Sequence, residues 1–271
     1  MANTGEVVNI SGLRTSIDVQ QGYDIFDGEM NLNVEGMTLS NMQKLTVIGF
    51  IQRENVNNTI VVRAGDKANG MQLVFRGFIW QAYIDANRQP SPTFNILAKS
   101  SVRIALSTPP ASSYKSAKVE HVFADLAKEG GLSFQNINVD QRMDGIYLTG
   151  STLDKIKSMA KATGVIFSTD GGVLTIWENL VQVKNKPIVC SPDSPDATLI
   201  GSPIVSGNML EVVLLFTSRL QYHQRIEIKS QLEIANGMWT PRRIIHQLQA
   251  KMPGGAWFTH VSCDRAMLLE E

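Results

Sequence analysis

Cysteine is almost absent from this sequence: 271 residues hold two, Cys190 and Cys263, far apart in the chain. That spacing leaves one disulfide or two free thiols open, and two reduced thiols are the preferred reading for a cytosol-made protein. No charge of either sign is in excess. The 25 Lys and Arg residues balance 25 Asp and Glu residues, without the basic surplus of a dedicated nucleic-acid binder. A neutral chain also has little self-repulsion to oppose assembly. Long hydrophobic runs are missing too, the longest being Val212 to Phe216, far short of the roughly 20 apolar residues of a membrane span. The opening residues Met-Ala-Asn-Thr-Gly-Glu-Val-Val have neither the basic nor the apolar region of a secretory signal. The expectation is a chain with no membrane segment, made soluble in the cytoplasm and staying there unless carried out in a larger particle.

At this length the chain holds one large domain or two to three small ones. It can bury on the order of 75% of its unfolded surface, so it needs no staples. Residues 7–106 read as strands almost throughout. Met30, Leu32 and Val34 alternate with polar neighbours, the period-two signature of a half-exposed strand. Residues 45–51 are apolar on both faces and read as a covered strand. Residues 54–58 read as a polar turn, 59–63 as a strand, and Ala64-Gly65-Asp66 with Asn69-Gly70 as a second turn. In the long strand 71–85, Leu73, Phe75 and Ile79 share one face, with Val74, Phe78, Trp80, Ala82 and Ile84 on the other. Gly77 interrupts it, where a bulge or a close backbone approach is expected. Strands over 94–98 and 102–106 complete a small barrel or sandwich.

Residues 107–113, with two prolines, read as a linker, after which the period changes. Val119, Val122, Phe123, Leu126 and Ala127 have amphipathic helical spacing, with Ser116 as candidate N-cap and Gly130-Gly131 as the stop. Ser151-Thr-Leu-Asp154 fits a variant capping box and opens a second helix, with Leu153, Ile156, Met159 and Ala160 inward and Gly164 at its end. Each helix is followed by a strand, 132–134 and 165–168. The turn Asp170-Gly-Gly172 leads to another at 173–177. This helix–glycine–strand unit, present twice, marks a small α+β domain.

A second proline-rich connector, 190–196, returns the chain to β structure. Residues 211–216, 225–230, 244–249 and 257–263 read as four strands, with Asn236-Gly237 and Pro253-Gly254-Gly255 as turns. In the last, Trp257, Thr259, Val261 and Cys263 share a face. The fold class is mainly β, a β-rich α+β chain with boundaries 1–108, 109–184 and 185–271. Its two β halves are either separate barrels or one sheet system interrupted by an insertion.

No grouping of residues carries chemistry. His121 and Asp125 lie four apart on the first helix, read as a solvated pair in preference to a proton or metal relay. His223, His246 and His260 lack the clustered ligands a zinc site needs. Ser112-Ser-Tyr-Lys115 matches the serine-nucleophile motif S-x-x-K without its companion motifs. There is no nucleophile elbow, phosphate loop or dinucleotide fingerprint. Asp140, Asp144 and Glu178 have no spacing that marks a glycosidase pair. Trp239 and Trp257 beside turns are read as edge-of-core packing in preference to sugar or partner contacts, and Arg242-Arg243 is too small for a phosphate site. No catalytic, metal or cofactor-binding residue is assigned, and no cofactor is expected.

Several local motifs occur along this three-part order. They are Ile10-Ser-Gly-Leu-Arg14, Val62-Arg-Ala-Gly-Asp66, Phe75-Arg-Gly-Phe-Ile-Trp80, Tyr147-Leu-Thr-Gly-Ser-Thr-Leu153, Asp170-Gly-Gly-Val-Leu-Thr-Ile176 and Arg225-Ile-Glu-Ile-Lys-Ser230. Together they resemble the baseplate hub proteins of tailed bacteriophages, the late-control-gene-D-like group. The resemblance implies two tube-like antiparallel β-barrel domains or half-domains flanking a small α+β insertion. It implies a non-enzymatic homotrimer whose partners are the tail tube protein, the central spike protein and other baseplate proteins. DNA would pass through its lumen without sequence-specific binding, and its place would be the virion tail baseplate. The alternatives are a tail-tube or distal-tail ring subunit and, further off, a cell-wall glycan-binding or peptidoglycan-hydrolase component.

Overall fold

A computed structural model describes residues 8–22, 27–46, 58–66, 70–87, 92–178, 186–222 and 224–265. The strand expected over 45–51 and the turn over 54–58 lie outside these residues, apart from Leu45, Thr46 and Asn58; His223 lies outside as well.

The N-terminal strands are β1 (Arg14–Gln20), β2 (Glu29–Glu35), β3 (Thr59–Asp66), β4 (Gly70–Asp85) and β5 (Thr93–Lys99). Met30, Leu32 and Val34 all point inward on β2, as their alternation requires. Phe94, Ile96 and Ala98 do the same on β5. Two short helices replace expected strand or loop. Helix α1 (Leu39–Leu45) is capped by Thr38 and buries only Met42, so it carries no periodic signal. Helix α2 (Val102–Ala105) occupies the place of a strand expected over 102–106. Asp27 takes hydrogen bonds from the Ser100 hydroxyl at 2.8 Å and the Ser101 N–H at 3.1 Å. The chain turns there and delivers Ile104 into the core of the middle unit.

Residues 64–66, expected as a turn, extend β3. On β4, simple alternation fails at one point. Phe75 and Ile79 are buried on one face, but so is Ala82, while Leu73 is exposed. The register against β5 shifts between Ile79 and Gln81, so an extra residue at Trp80 reverses the pleat. Gly77 is not at that bulge. A Cβ there would stand 2.6 Å from the Lys99 carbonyl oxygen, so this glycine serves close approach.

The middle unit comprises β6 (Ser112–Lys118), α3 (Val119–Gly130), β7 (Ser133–Ile137), β8 (Arg142–Leu148), α4 (Thr152–Thr163), β9 (Val165–Ser168) and β10 (Val173–Glu178). Ser112 and Ser113 are in strand β6, which pairs with β8, and not in a linker. All five predicted inward residues of α3 are buried, and Gly131 ends it in the left-handed conformation, φ 66°. Its N-cap is Lys118 instead of Ser116. The free N–H of Val119 bonds the Gln141 carbonyl at 2.9 Å, so backbone does the work expected of a serine. The capping box of α4 forms in full, and Gly164 terminates the helix at φ 70°. The repeated helix–glycine–strand unit has a geometric outcome. Its two strands, β7 and β9, flank β10, the first parallel and the second antiparallel to it. Phe123, Leu126, Ile156, Met159, Leu174 and Ile176 form the core between helices and sheet.

Among the described residues the C-terminal part has six strands where four were expected: β11 (Ile188–Cys190), β12 (Leu199–Ser206), β13 (Met209–Leu215), β14 (Ile226–Ile228), β15 (Gly237–Ala250) and β16 (Trp257–Arg265). Thr259, Val261 and Cys263 are buried on the face that alternation assigns them. Strand β15 is the spine. It pairs with β14 at its start, with β16 along its length and with β1 over its second half. Pro241 is tolerated within it at a register shift between Pro241 and Arg243, where a missing N–H costs least.

Among the described residues the two β halves are therefore joined in one sheet of eleven strands, nine on the path β12-β13-β16-β15-β1-β2-β5-β4-β3 and two, β14 and β11, branching from β15. Among the described residues no ladder closes either half upon itself. Each half has its own core. One is built around Met30, Val34 and Phe94, the other around Leu210, Ile228, Trp239 and Val261, to which Ile166 and Trp177 of the middle unit also belong.

Candidate functional site

The residues weighed for chemistry are dispersed by the fold, most of them to structural partners, while His260 on β16 keeps its buried Nε2 without a hydrogen-bond partner among the described residues. His121 is 71% exposed and its Nε2 lies 3.6 Å from Glu120 Oε1, not beside Asp125. Asp125 instead accepts from the Tyr114 hydroxyl at 3.1 Å. Asp140 pairs with Lys118 at 3.1 Å, Glu178 accepts from Gln141 at 3.2 Å, and Asp144 stands on β8 opposite Ser116. Arg242 donates to Asp264 at 2.8 Å, and Arg243 reaches Gln20 with two donors at 3.3 and 3.0 Å. Among the described residues no three His, Cys, Asp or Glu side chains converge as a metal site.

Cys190 and Cys263 are free thiols buried in the same core. Burial pushes Cys190 up to about 12, and burial with the neighbouring Cys190 and Asp264 raises Cys263 as well. Neither presents the thiolate that reactivity needs. Trp239 is in the core, its indole N–H donating to the Ala235 carbonyl at 2.8 Å. Trp257 is half-buried and stands edge-on to Phe216, with ring centroids 5.4 Å apart, at the rim of a cavity of about 130 Å³.

Ser112 does meet a lysine, but Lys155 and not Lys115. Lys155 is wholly buried, and its Nζ donates to Pro110 O at 2.6 Å, Ser112 Oγ at 3.0 Å and Glu129 Oε2 at 2.9 Å. An ammonium has three donors, and Pro110, Ser112 and Glu129 occupy all three. The cluster also fastens the 107–111 segment, expected to be a plain linker, to α3 and α4. A charged residue three after Thr152 and four before Met159 lies in the inward stripe of α4, and that was the signal available in the sequence.

His246 sits at the seam between the two β halves. Its Nδ1 is 3.0 Å from Thr259 Oγ1 and its Nε2 is 3.0 Å from the Gln21 amide nitrogen. The Gln21 amide donates to Nε2, so the proton is on Nδ1 and goes to Thr259, whose hydroxyl turns to Thr217 O at 3.4 Å. Burial pushes this imidazole down to about 4. It is a neutral structural histidine. Tyr222 closes the same seam, its hydroxyl donating to Gln21 O at 2.9 Å, and Ser218 donates to Gln72 on β4.

A groove of about 240 Å³ runs where β1, β4, β10 and the 218–222 segment meet, lined by Val19, Leu73, Phe75, Trp177, Leu220 and Tyr222 among others. At its wall the β9–β10 turn inserts Asp170 against the N-terminal sheet. The Gly22 N–H donates to Asp170 Oδ2 at 2.7 Å. Gly28 must lack a side chain, because a Cβ there would lie 2.2 Å from Asp170 Oδ1. Nothing in the sequence pattern distinguished these glycines or this aspartate from ordinary turn residues.

The geometry thus defines a class: a β-rich protein in which two β halves share one sheet and a small α+β unit is held against them by buried polar groups. Comparison with known families makes this specific. The chain belongs to the Baseplate hub gp41 family, whose profile matches residues 44–253. It is a structural component of the bacteriophage tail baseplate. In fold it is similar to the 43 kDa tail protein of prophage MuSo2 from Shewanella oneidensis, at 12% identity over 93% of this chain and 92% of that one, TM-score 0.60. It is similar also to the tail protein from Neisseria meningitidis MC58, at 9% identity over 93% and 92%, TM-score 0.62. A third similar fold is the E. coli c3393 protein, at 10% identity over 95% and 76%, TM-score 0.60, described as a type VI secretion component resembling the T4 tail proteins gp27 and gp5. No curated protein matches in sequence. No helix among the described residues is long and apolar enough to cross a membrane.

Proposed function

We propose that three copies of this chain form the hub ring of the baseplate, joining the hexameric tail tube to the central spike and surrounding the channel of genome ejection. Residues 1–108 and 185–271 act as two tube-like units and 109–184 as the insertion between them. Three chains then present six tube-like units to a sixfold tube while keeping threefold symmetry for the spike. The observation that carries this reading is the β1–β15 seam. It sets two β halves with separate cores edge to edge in one sheet, as two successive segments of a ring wall would be. The similarity of the E. coli protein of this fold to T4 tail proteins supports the same role.

The partners are two further copies of the chain, the tail tube, the spike and other baseplate proteins. DNA passes the lumen without sequence-specific binding, consistent with a formal net charge of zero. The chain is made in the host cytoplasm and functions in the virion, and it is not an enzyme. Reconstruction of the tail tip, with native mass of the purified chain, tests this. Three copies per ring are expected. Six copies would indicate a tube or distal-tail ring subunit, and a strictly monomeric chain absent from virions would overturn the reading. Purified peptidoglycan should remain uncleaved.

A further inference from the structure

We propose that the two ends of the eleven-stranded sheet meet between neighbouring copies of this chain, with the β12–β13 end of one protomer packed on the β3–β4 end of the next. This contact rests on the ring reading above and supplies the surface through which one copy meets another.

Exposed apolar side chains are unevenly placed along the sheet. Among the described residues, strands β16, β15, β1, β2 and β5 carry no large exposed hydrophobic side chain. Gln249, Ser16, Asn33 and Asn95 instead stand in register across four of these strands, a surface of amides and a hydroxyl suited to water. The ends differ. At one, Ile200 and Ile204 of β12 and Met209 of β13 are exposed, and the Glu233–Ala235 turn beside β12 exposes Ile234. At the other, Val61 of β3 and Met71 and Leu73 of β4 are exposed. A single exposed apolar residue is ordinary, but clusters at both ends of one sheet mark surfaces that a partner covers.

Charge identifies the partner. In the middle of the sheet, acids and bases neutralise one another across adjacent strands, Arg14 with Glu35 at 3.3 Å and Lys99 with Glu29 at 3.4 Å. At the ends, single signs stand unpaired. Glu211 is exposed on β13 opposite Ile204, and Glu233 is exposed between Leu232 and Ile234; neither makes an ion pair among the described residues. Arg63, opposite Leu73, and Arg76, opposite Val61, are exposed at the other end and are likewise unpaired among the described residues. Nearby charges at the β12 end are engaged, Asp264 with Arg242 and Asp196 with Arg219. The exception, Arg265, ends β16 three residues beyond the Ser262 that pairs with Glu211.

One end thus interleaves apolar residues with carboxylates, and the other interleaves them with guanidinium groups. Each end complements the other and repels its own kind, so the contact is heterologous and joins copies head to tail. It is made by side chains and not by a continued ladder. Pro203 lies in β12 within the register shift between Ile200 and Ile204, and an edge so interrupted cannot pair along its length.

The test uses the full chain and three variants: Glu211→Lys with Glu233→Lys, Arg63→Glu alone, and all three substitutions together. Self-association is measured by native mass and sedimentation over a concentration series. Reversing either end alone sets like charges face to face and should weaken association roughly tenfold or more. All three together restore opposite signs and should bring it back to within about threefold of wild type, a recovery that mere loss of stability cannot produce. If a reversal does not fold, Ile204→Ser with Ile234→Ser takes its place and should weaken association by a similar factor. A wild type that forms three-copy rings, with association unaltered by the variants or not recovered by the combination, overturns this contact and leaves the ring reading standing. Six copies showing these same charge effects would support the contact and overturn the threefold reading. A wild-type chain that stays monomeric at high concentration overturns both.

Discussion

Lys155 Nζ lies 2.9 Å from Glu129 Oε2, with the lysine side chain wholly out of water and the glutamate 24% exposed. Removing one member of a buried pair leaves the other charge uncompensated, which typically costs about 3–5 kcal/mol, whereas removing both is often close to neutral. Glu129→Ala should therefore destabilise the chain strongly. Adding Lys155→Met should recover part of the loss, because methionine fills the same channel without a charge. Denaturant unfolding of the two single variants and the double variant measures this. A double variant less stable than Glu129→Ala alone would show that the lysine is retained for its bonds to Pro110 and Ser112, and not for charge balance.

His246 makes stability depend on pH. Burial holds its folded value near 4 against an ordinary 6.5, so the unfolded chain takes up a proton in this window that the folded chain refuses. Its contribution is complete above about pH 6.5 and is lost as the pH falls towards 4, a loss on the order of 3 kcal/mol at the acid end. The informative quantity is the difference from His246→Gln. That variant should be less stable than the wild type at pH 7, and the gap should narrow by pH 5. Denaturant midpoints at pH 7, 6 and 5 decide it, and a gap independent of pH would mean that His246 titrates normally.

Much of the fold was legible because a few residues impose their geometry locally. Gly131 and Gly164 end their helices in the left-handed conformation, and the alternation of β2 and β16 fixes their faces. The failures share one cause. Where one residue decides the outcome through a distant partner, pattern is silent. Trp80 reverses β4 because of its register with β5. Ser101 starts a turn because Asp27 holds it. Ser116 is displaced as a cap because Gln141, just before β8, supplies a carbonyl. The seam between the halves was equally hidden. The pairing of Val19 with His246 joins positions at opposite ends of the chain, and either a continuous sheet or two separate ones would show the same alternation. The buried polar clusters escaped for a further reason. Asp170 lies in an Asp-Gly-Gly run, where an aspartate is expected for turn chemistry alone.

Gly77 and Gly145 allow the two uses of glycine to be separated. At Gly77 an added methyl would meet the Lys99 carbonyl oxygen and the Phe75 ring, each at 2.6 Å, so Gly77→Ala must push two strands apart. Overpacking of this kind costs about 1–3 kcal/mol. At Gly145 nothing lies within 4 Å, but φ is +67°, and the left-handed conformation costs an L-residue roughly 1–2 kcal/mol. Both variants should lose stability. Only Gly77→Ala should perturb its neighbours, visible as amide shift changes across β4 and β5. A Gly77→Ala protein with unchanged β5 shifts would show that the ladder absorbs the methyl.

The capping box of α4 offers the last test, because its two halves respond differently to pH. Ser151 Oγ accepts from the Asp154 N–H at 3.1 Å, while Asp154 Oδ2 accepts from the Ser151 N–H at 3.0 Å and from its hydroxyl at 2.7 Å. The hydroxyl bond first, and the backbone bond with it, hold Asp154 below its ordinary 3.8. Its contribution is therefore present above about pH 4 and lost as the pH falls through the lower folded value. Ser151→Ala removes the cap at every pH and should cost about 1 kcal/mol, within the usual 0.5–2. Asp154→Asn should cost less at neutral pH, and its difference from the wild type should shrink in acid. Because α4 carries Lys155, Ile156 and Met159 into the middle core, fraying of its first turn should speed amide exchange in β9 and β10 as well. Exchange accelerated only within residues 151–154 would confine the cap to local order and separate it from the packing of the unit.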